Sequence, residues 1–195
     1  AFGEHGVWGH GFCLNDCLTR VPLVIRHPDY WSPGHRAKQL VQLHDLHDLC
    51  LSVAETGVSQ PDRYPQCLTQ AENPSWPGRD AAFSEFPRQS KTLRSMRKQN
   101  PNFEPGVWDH GCWAIRTANW RYIEWDSGAF ALYDLIRDPH ERIAVKDENA
   151  NALDELRTRL RVHRSATYPQ ARERVADGQM EGVVIERLRA LGYIE

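Results

Sequence analysis

Residues 113–135 have the sequence WAIRTANWRYIEWDSGAFALYDL, and this stretch decides the fold class of its part of the chain. Apolar and polar side chains alternate through 113–117 and through 120–125, which is typical of half-buried strands. The two residues between these segments, 118–119, predict a hairpin turn. After one further turn, residues 130–135 supply a third strand of the same kind. The stretch therefore predicts an antiparallel sheet.

Further elements are predicted on both sides of this sheet. Residues 81–86 have a similar composition and predict an additional strand. Three leucines recur at spacings of three and four among good helix formers, so a helix from about 148 to 163 is predicted to pack on the sheet. Residues 87–106 are basic and polar, and we predict a surface excursion there.

The first eighty residues have the pattern of an α/β domain. Residues 20–26, RVPLVIR, form a continuous apolar run with β-branched side chains and predict a buried strand. Residues 40–43 predict a second strand, and Asp45 is the predicted N-cap of a helix that ends at Gly57. Residues 59–79 contain four prolines and predict a covering loop or a junction between subdomains. Strands and helices in this order indicate the α/β class.

Composition narrows the classes of function. The chain has 195 residues, 41% of them apolar, which suits one domain or one and a half. A net charge of -2 argues against binding through bulk positive charge, so no nucleic-acid partner is expected. The longest apolar run covers only residues 21–25, so no membrane span is expected. The five cysteines are odd in number and widely spaced, which favours free thiols over a disulfide framework.

Several stretches resemble the motifs of one enzyme family. They are GEHGVWGHG at 3–11, RVPLVIR at 20–26, LHDLHDLCL with AETGV at 43–58, IRT through LYDLIRDPHE at 115–141, and LRALGYI at 188–194. Together they resemble the sulfatases of the alkaline-phosphatase superfamily. Five matches in the family's order are much more specific than any one of them.

The resemblance implies an α/β fold: the end of a large alkaline-phosphatase-like α/β domain plus a small C-terminal subdomain of antiparallel strands packed on a helix. It places residues 1–80 in the large domain, 81–165 in the subdomain and 166–195 in a C-terminal tail. The chain would then be the C-terminal portion of a sulfatase. The first residue, Ala1 rather than Met, fits the back part of a longer protein. No signal peptide is visible in the first residues, but a leader could lie upstream, so the sequence does not indicate a cellular compartment.

The resemblance also implies hydrolysis of sulfuric esters, with a sulfate-ester small molecule or glycan as the substrate. Family members use a formylglycine nucleophile, made from the Cys of a C-x-P-S-R or C-x-A-S-R motif, and one divalent cation, usually calcium. None of the five cysteines lies in such a motif, and no metal ligand is assigned to this chain. Both groups are therefore expected upstream. The chain alone is expected to be inactive and to need the N-terminal half of the same protein as its partner.

His10 is the candidate catalytic residue. The resemblance aligns it with a Lys of the family, and Gly9 and Gly11 beside it allow an anion to approach the backbone closely. We predict that His10 binds substrate and acts as a hydrogen-bond donor or general acid whose charge depends on pH. A loop histidine with no role is the alternative. His5 is a second candidate for substrate binding, and loop packing is its favoured interpretation.

Other patterns have simpler interpretations. His44 and His47 could bind zinc, but no second cluster of ligands follows nearby in the sequence. Cys13 and Cys17 are spaced more widely than the usual zinc-binding pair. The basic residues at 88–98 are typical of a solvated loop, although they could attract a polyanionic substrate.

Two other functions share these patterns. One is a phosphonate or phosphate ester hydrolase of the same superfamily, which has similar C-terminal motifs. The other is a non-catalytic module that binds a substrate or a partner. Activity on sulfate versus phosphonate esters separates the two enzymes, and the upstream sequence separates an enzyme from a module.

Overall fold

The computed structural model describes residues 1–7, 9–27, 31–56, 68–73, 75–104, 106–145 and 149–167. The chain divides into two compact units, Ala1–Arg157 and Thr158–Glu195. No helix in the described ranges has the length and apolar character needed to cross a membrane. The predicted helix end at Gly57 and the family-like motif at 188–194 lie outside the described residues.

Four helices and four strands follow one another along these ranges. In chain order they are α1 (Asp16–Thr19), α2 (Asp45–Thr56), β1 (Ala82–Phe86), α3 (Ser90–Gln99), β2 (Cys112–Arg116), β3 (Trp120–Trp125), β4 (Phe130–Asp134) and α4 (Ala150–Thr167). Single 3-10 turns lie at Glu4–Gly6, Leu68–Gln70 and Gly106–Trp108.

The four strands form one antiparallel sheet in the order β1-β2-β3-β4. Ala114 of β2 pairs with Ile123 of β3, which in turn pairs with Ala131 of β4. The turn between β2 and β3 is closed by the Thr117 amide, which donates to the Trp120 carbonyl at 2.8 Å. The predicted strands and hairpin of residues 81–135 are therefore confirmed.

The sheet is covered on both faces. On one face, Ala114, Ile123 and Tyr133 are buried with Leu14, which comes from the segment before the sheet. On the other face, Tyr122 is fully buried, and Arg157 of α4 donates to its hydroxyl at 3.3 Å. Each large apolar side chain buried in this way stabilises the fold by about 1.5–3 kcal/mol. The predicted helix is confirmed, with bounds of Ala150–Thr167 rather than 148–163.

The two strands predicted in the first eighty residues do not form. Residues 20–26 have no regular structure, and Val21 and Val24 are 55% and 92% exposed. Of residues 40–43 only Leu40 makes a bridge, to Arg79. A strand needs the amides and carbonyls of a neighbouring strand, and within the described ranges no strand lies beside residues 20–26.

The predicted surface excursion at 87–106 was wrong in part, because it contains the ten-residue helix α3. Its residues are mostly good helix formers, and Leu93 is 4% exposed and anchors it. An apolar stripe is missing because only Leu93 and Met96 are apolar within α3. The usual periodic signal for an amphipathic helix is therefore weak.

Asp45 is the first residue of α2 rather than its N-cap, which corrects the prediction. Its buried carboxylate accepts a hydrogen bond from the Gln42 amide at 2.7 Å and pairs with Arg79. Burial disfavours the charged carboxylate, but the hydrogen bonds from Arg79 and Gln42 outweigh it and lower the pKa of Asp45. The pair therefore stabilises the fold at neutral pH, and this contribution is lost as the pH falls through the lowered pKa.

Gly78 is expected to be intolerant of substitution. Its φ is +63°, and an added Cβ would lie 2.5 Å from the Cβ of Gln39. We expect Gly78→Ala to lower the free energy of unfolding by about 2–4 kcal/mol, because a left-handed conformation and a steric clash add together. Urea denaturation measures this loss.

Gly34 provides a matched control for this substitution. Its φ is +81°, but no atom lies within 4 Å of the position where a Cβ would be. Gly34→Ala should therefore cost only about 1–2 kcal/mol, from the backbone conformation alone. Equal losses for the two variants would contradict the steric part of the argument.

Candidate functional site

The candidate site lies on the segment that precedes α1. The Gly9 amide donates to the Ala1 carbonyl at 3.0 Å, and the Gly3 amide donates to the Val7 carbonyl at 3.0 Å. These bonds bring Gly9 back beside Ala1 and Val7 back beside Gly3. Gly9 has a φ of +100°, a conformation that side chains rarely adopt, so the sequence permits the bend here.

The structure places both sequence-predicted site residues on this segment, and both are exposed. The ring of His5 lies edge-on to Tyr133 of β4, with 6.4 Å between the ring centroids and 71° between the planes. This contact is what the loop-packing interpretation of His5 requires. His10 lies between Gly9 and Gly11 at the end of the loop, where its imidazole is exposed to solvent.

A buried ion-pair network of Asp16, Arg116, Arg121 and Glu141 attaches this segment to the sheet. Arg121 pairs with the carboxylate of Asp16 and also donates to the Leu14 carbonyl. Its Nε lies 2.6 Å from Glu141 Oε1. Arg116 Nε lies 3.1 Å from Asp16 Oδ1. Finally, the Asp16 amide donates to Glu141 Oε2 at 2.9 Å.

The network is balanced in charge, and its inner pair of Arg121 and Glu141 is almost completely desolvated, whereas Asp16 and Arg116 are partly exposed. Arg121 and Glu141 are 2% and 1% exposed. Two guanidinium groups face two carboxylates, so no net charge is buried in this part of the structure. The network positions the loop segment, because Asp16 fixes the end of that segment relative to β2 and β3.

This network was not found from the sequence, although a signal for it exists. Arg116 and Arg121 flank the predicted hairpin and are direct cross-strand partners. Two like charges directly opposite each other are destabilising unless acidic groups lie between them. The hairpin register therefore indicates that a carboxylate should lie nearby, but not which one.

Two of the described cysteines, Cys112 and Cys17, are poorly suited to act as nucleophiles. Burial raises the pKa of the Cys112 thiol to about 12. Partial desolvation of its sulfur, together with the neighbouring Cys13, raises the pKa of Cys17 to about 11. Both thiols are therefore protonated at neutral pH, and thiols are poor nucleophiles in that form.

The candidate zinc ligands are not brought together either. His47 Nδ1 lies 3.2 Å from Asp48 Oδ1, while His44 Nε2 lies beside the guanidinium of Arg79. Within the described part of the chain, no three His, Cys, Asp or Glu side chains gather where they could hold a metal ion. These residues therefore do not fit the divalent cation that the family resemblance implies.

Comparison with known proteins agrees with the fold and with the motifs. The chain is 31% identical over 171 residues to human arylsulfatase K, a match that covers 80% of this chain and 27% of that protein. No family model matches the sequence.

Two solved structures have a similar fold. One is a protein of Bacteroides thetaiotaomicron assigned as a sulfatase, with a TM-score of 0.51 and 18% identity over 69% of this chain. The other was solved with its substrate D-glucosamine-2-N,6-O-disulfate and has a TM-score of 0.51 and 22% identity over 73% of this chain. This chain covers 27% of each. In sequence and in fold, the chain is therefore a partial match to the sulfatases, as the C-terminal portion of a sulfatase would be.

Proposed function

We propose that this chain is the C-terminal portion of a sulfuric ester hydrolase and that its first loop lines the sulfate site. The observation that carries the proposal is the 31% identity to arylsulfatase K across 171 residues. The substrate is a sulfate-ester small molecule or glycan. The sulfated sugar bound by the second similar structure supports a glycan as the substrate of this protein.

In this proposal His10 is the catalytic residue and donates a proton or hydrogen bond. An imidazolium N–H can donate to a sulfate oxygen or to the oxygen of the departing alcohol. Gly9 and Gly11 carry no side chain, which leaves room for the anion beside the imidazole. His5 packs the loop against Tyr133, and the ion-pair network fixes the end of the loop segment that leads into α1. We assign no step to the formylglycine or the cation, because the described residues do not form a site for either.

The proposal also gives the chain a partner, the N-terminal half of the same protein. Val21, Leu23, Val24 and Leu43 are all exposed, three of them within the irregular segment of residues 20–26. Several large apolar side chains exposed in one short segment indicate a surface that another element covers. A segment outside any sheet can also pair its backbone with a neighbouring strand. We infer that residues 20–26 complete their pairing with that half.

An activity assay tests the proposed function. The chain joined to its upstream sequence is offered an aryl sulfate, an aryl phosphonate and an aryl phosphate at equal concentrations. We expect the sulfate to be hydrolysed fastest and the chain alone to be inactive on all three. Faster hydrolysis of the phosphonate or phosphate would favour the other hydrolase. No hydrolysis of any ester by the joined protein would favour a non-catalytic binding module.

A further inference from the structure

Helix α3 presents a row of cations that the proposed catalytic role does not use. The segment from Pro87 to Phe103 contains five Lys and Arg residues and no Asp or Glu, although the whole chain has a net charge of -2. Leu93 is 4% exposed and fixes which side of the helix faces the protein. The basic side chains therefore lie on the solvent side of α3.

Three of these cations have no counter-charge of their own. Lys91, Arg94 and Lys98 are exposed, and none of them forms an ion pair with another residue of the described ranges. Arg88, just before the helix, differs because its Nε lies 2.7 Å from Asp109 Oδ1. The positive charge of α3 is thus available to a ligand.

The three cations line one shallow groove. Lys91, Arg94, Ser95 and Lys98 border an open depression of about 170 Å³. Their spacings of three, four and seven place them on one face of the helix. They extend for about 10 Å along the axis, at 1.5 Å per residue. A row of separated charges suits a polymer with repeating anionic groups better than a single small anion.

We propose that this groove binds a sulfated polysaccharide chain. Arg94 and the two lysines would donate charge-assisted hydrogen bonds to sulfate oxygens, and the uncharged Ser95 hydroxyl would donate a further one. The choice of a sulfated glycan as the polyanion rests on the proposed function. The charge and the geometry of the groove are independent of that function. The groove would hold the polymer beyond the sulfate that is hydrolysed.

The composition of α3 argues against single-stranded nucleic acids and membrane surfaces as its ligand. Single-stranded nucleic acids need aromatic side chains on which bases stack, and α3 has none. Membrane-surface helices need a row of large apolar residues facing the lipid, and α3 exposes only Met96. A glycan bearing sulfate groups needs only cations and hydroxyl groups at intervals.

The test compares two triple variants of the protein joined to its upstream sequence. One replaces the groove cations (Lys91→Gln, Arg94→Gln and Lys98→Gln), and the matched control replaces exposed cations elsewhere (Arg36→Gln, Lys38→Gln and Arg142→Gln). The probe is a fluorescent hexasaccharide of N- and O-sulfated glucosamine, followed by anisotropy. We expect the groove variant to raise Kd by about tenfold and the control variant by less than about twofold. Equal effects of the two variants would overturn the proposal.

Three further probes decide the class of ligand. The desulfated hexasaccharide should bind at least about tenfold more weakly than the sulfated one, and salt should weaken the binding of the latter. Stronger binding to single-stranded DNA or to anionic vesicles, lost in the groove variant, would overturn the assignment to a glycan. Equal binding of the desulfated hexasaccharide would overturn it as well.

Hydrolysis of a small aryl sulfate separates this proposal from the proposed function. If the protein lacks that activity while hexasaccharide binding depends on α3, the sulfatase function fails and the binding site stands. If the activity is present and the groove variant binds the hexasaccharide like the wild type, only the binding site fails. The groove variant should hydrolyse the small aryl sulfate normally.

Discussion

Replacement of Arg121 by Met is expected to lower the free energy of unfolding by about 3–5 kcal/mol. Arg121 pairs with both Asp16 and Glu141, and Glu141 is 1% exposed. The variant keeps most of the buried volume, but it leaves Glu141 without its counter-charge and Asp16 with Arg116 alone. Removing one partner of a buried ion pair costs far more than the pair itself contributes, because the remaining charge stays desolvated.

Urea denaturation of the wild type and the variant measures this difference. Arg137→Met is the control, because the Arg137 side chain is 81% exposed and lies 3.7 Å from Asp134. An exposed pair of that kind should contribute less than about 1 kcal/mol. Similar losses for both variants would show that the network does not carry the stability assigned to it.

The second large effect is expected at His10. In the protein joined to its upstream sequence, His10→Ala should reduce kcat for an aryl sulfate by about 10²–10⁴-fold, the usual contribution of a general acid. Because the His10 side chain is exposed, its removal should leave the thermal stability of the chain unchanged. Steady-state kinetics and a melting curve of the same preparation measure both quantities. Unchanged kinetics would remove His10 from the site.

Two further variants separate catalysis from loop packing. His10→Lys keeps a cationic donor at the position, and it should restore part of the lost rate. His5→Ala should reduce kcat by less than about tenfold, since His5 contacts Tyr133. A larger effect at His5 than at His10 would reverse their roles.

The parts of the fold that depend on local pattern could be predicted from the sequence. The strands between residues 112 and 134 alternate, and their turns are short, so each strand finds its partner in the next segment. Residues 20–26 are as apolar as a buried strand, but pattern alone does not supply a neighbouring strand. Helix α3 was missed because one buried leucine is too little for a periodic signal.

The candidate site also has a part that could be predicted from the sequence and a part that could not. His10 was identified only because a resemblance aligned it with a functional position, since an exposed loop histidine has no distinctive local pattern. The network behind it joins Asp16 to residues 100 and 125 positions away. Long-range pairing of this kind cannot be inferred from spacing in a single sequence. The cross-strand pair of Arg116 and Arg121 was the one local indication of it.

The segment that precedes the sheet packs on one of its faces, and this affects the order of folding. The hydrogen bond from Asp16 to Glu141 spans 125 positions, so the chain must lose the entropy of a long loop before the bond can form. The hairpin strands close much shorter loops and form more easily. We therefore expect the segment that carries His10 to dock after the hairpin strands have paired. Correct folding of the sheet would then be the condition on which the proposed catalytic loop becomes ordered.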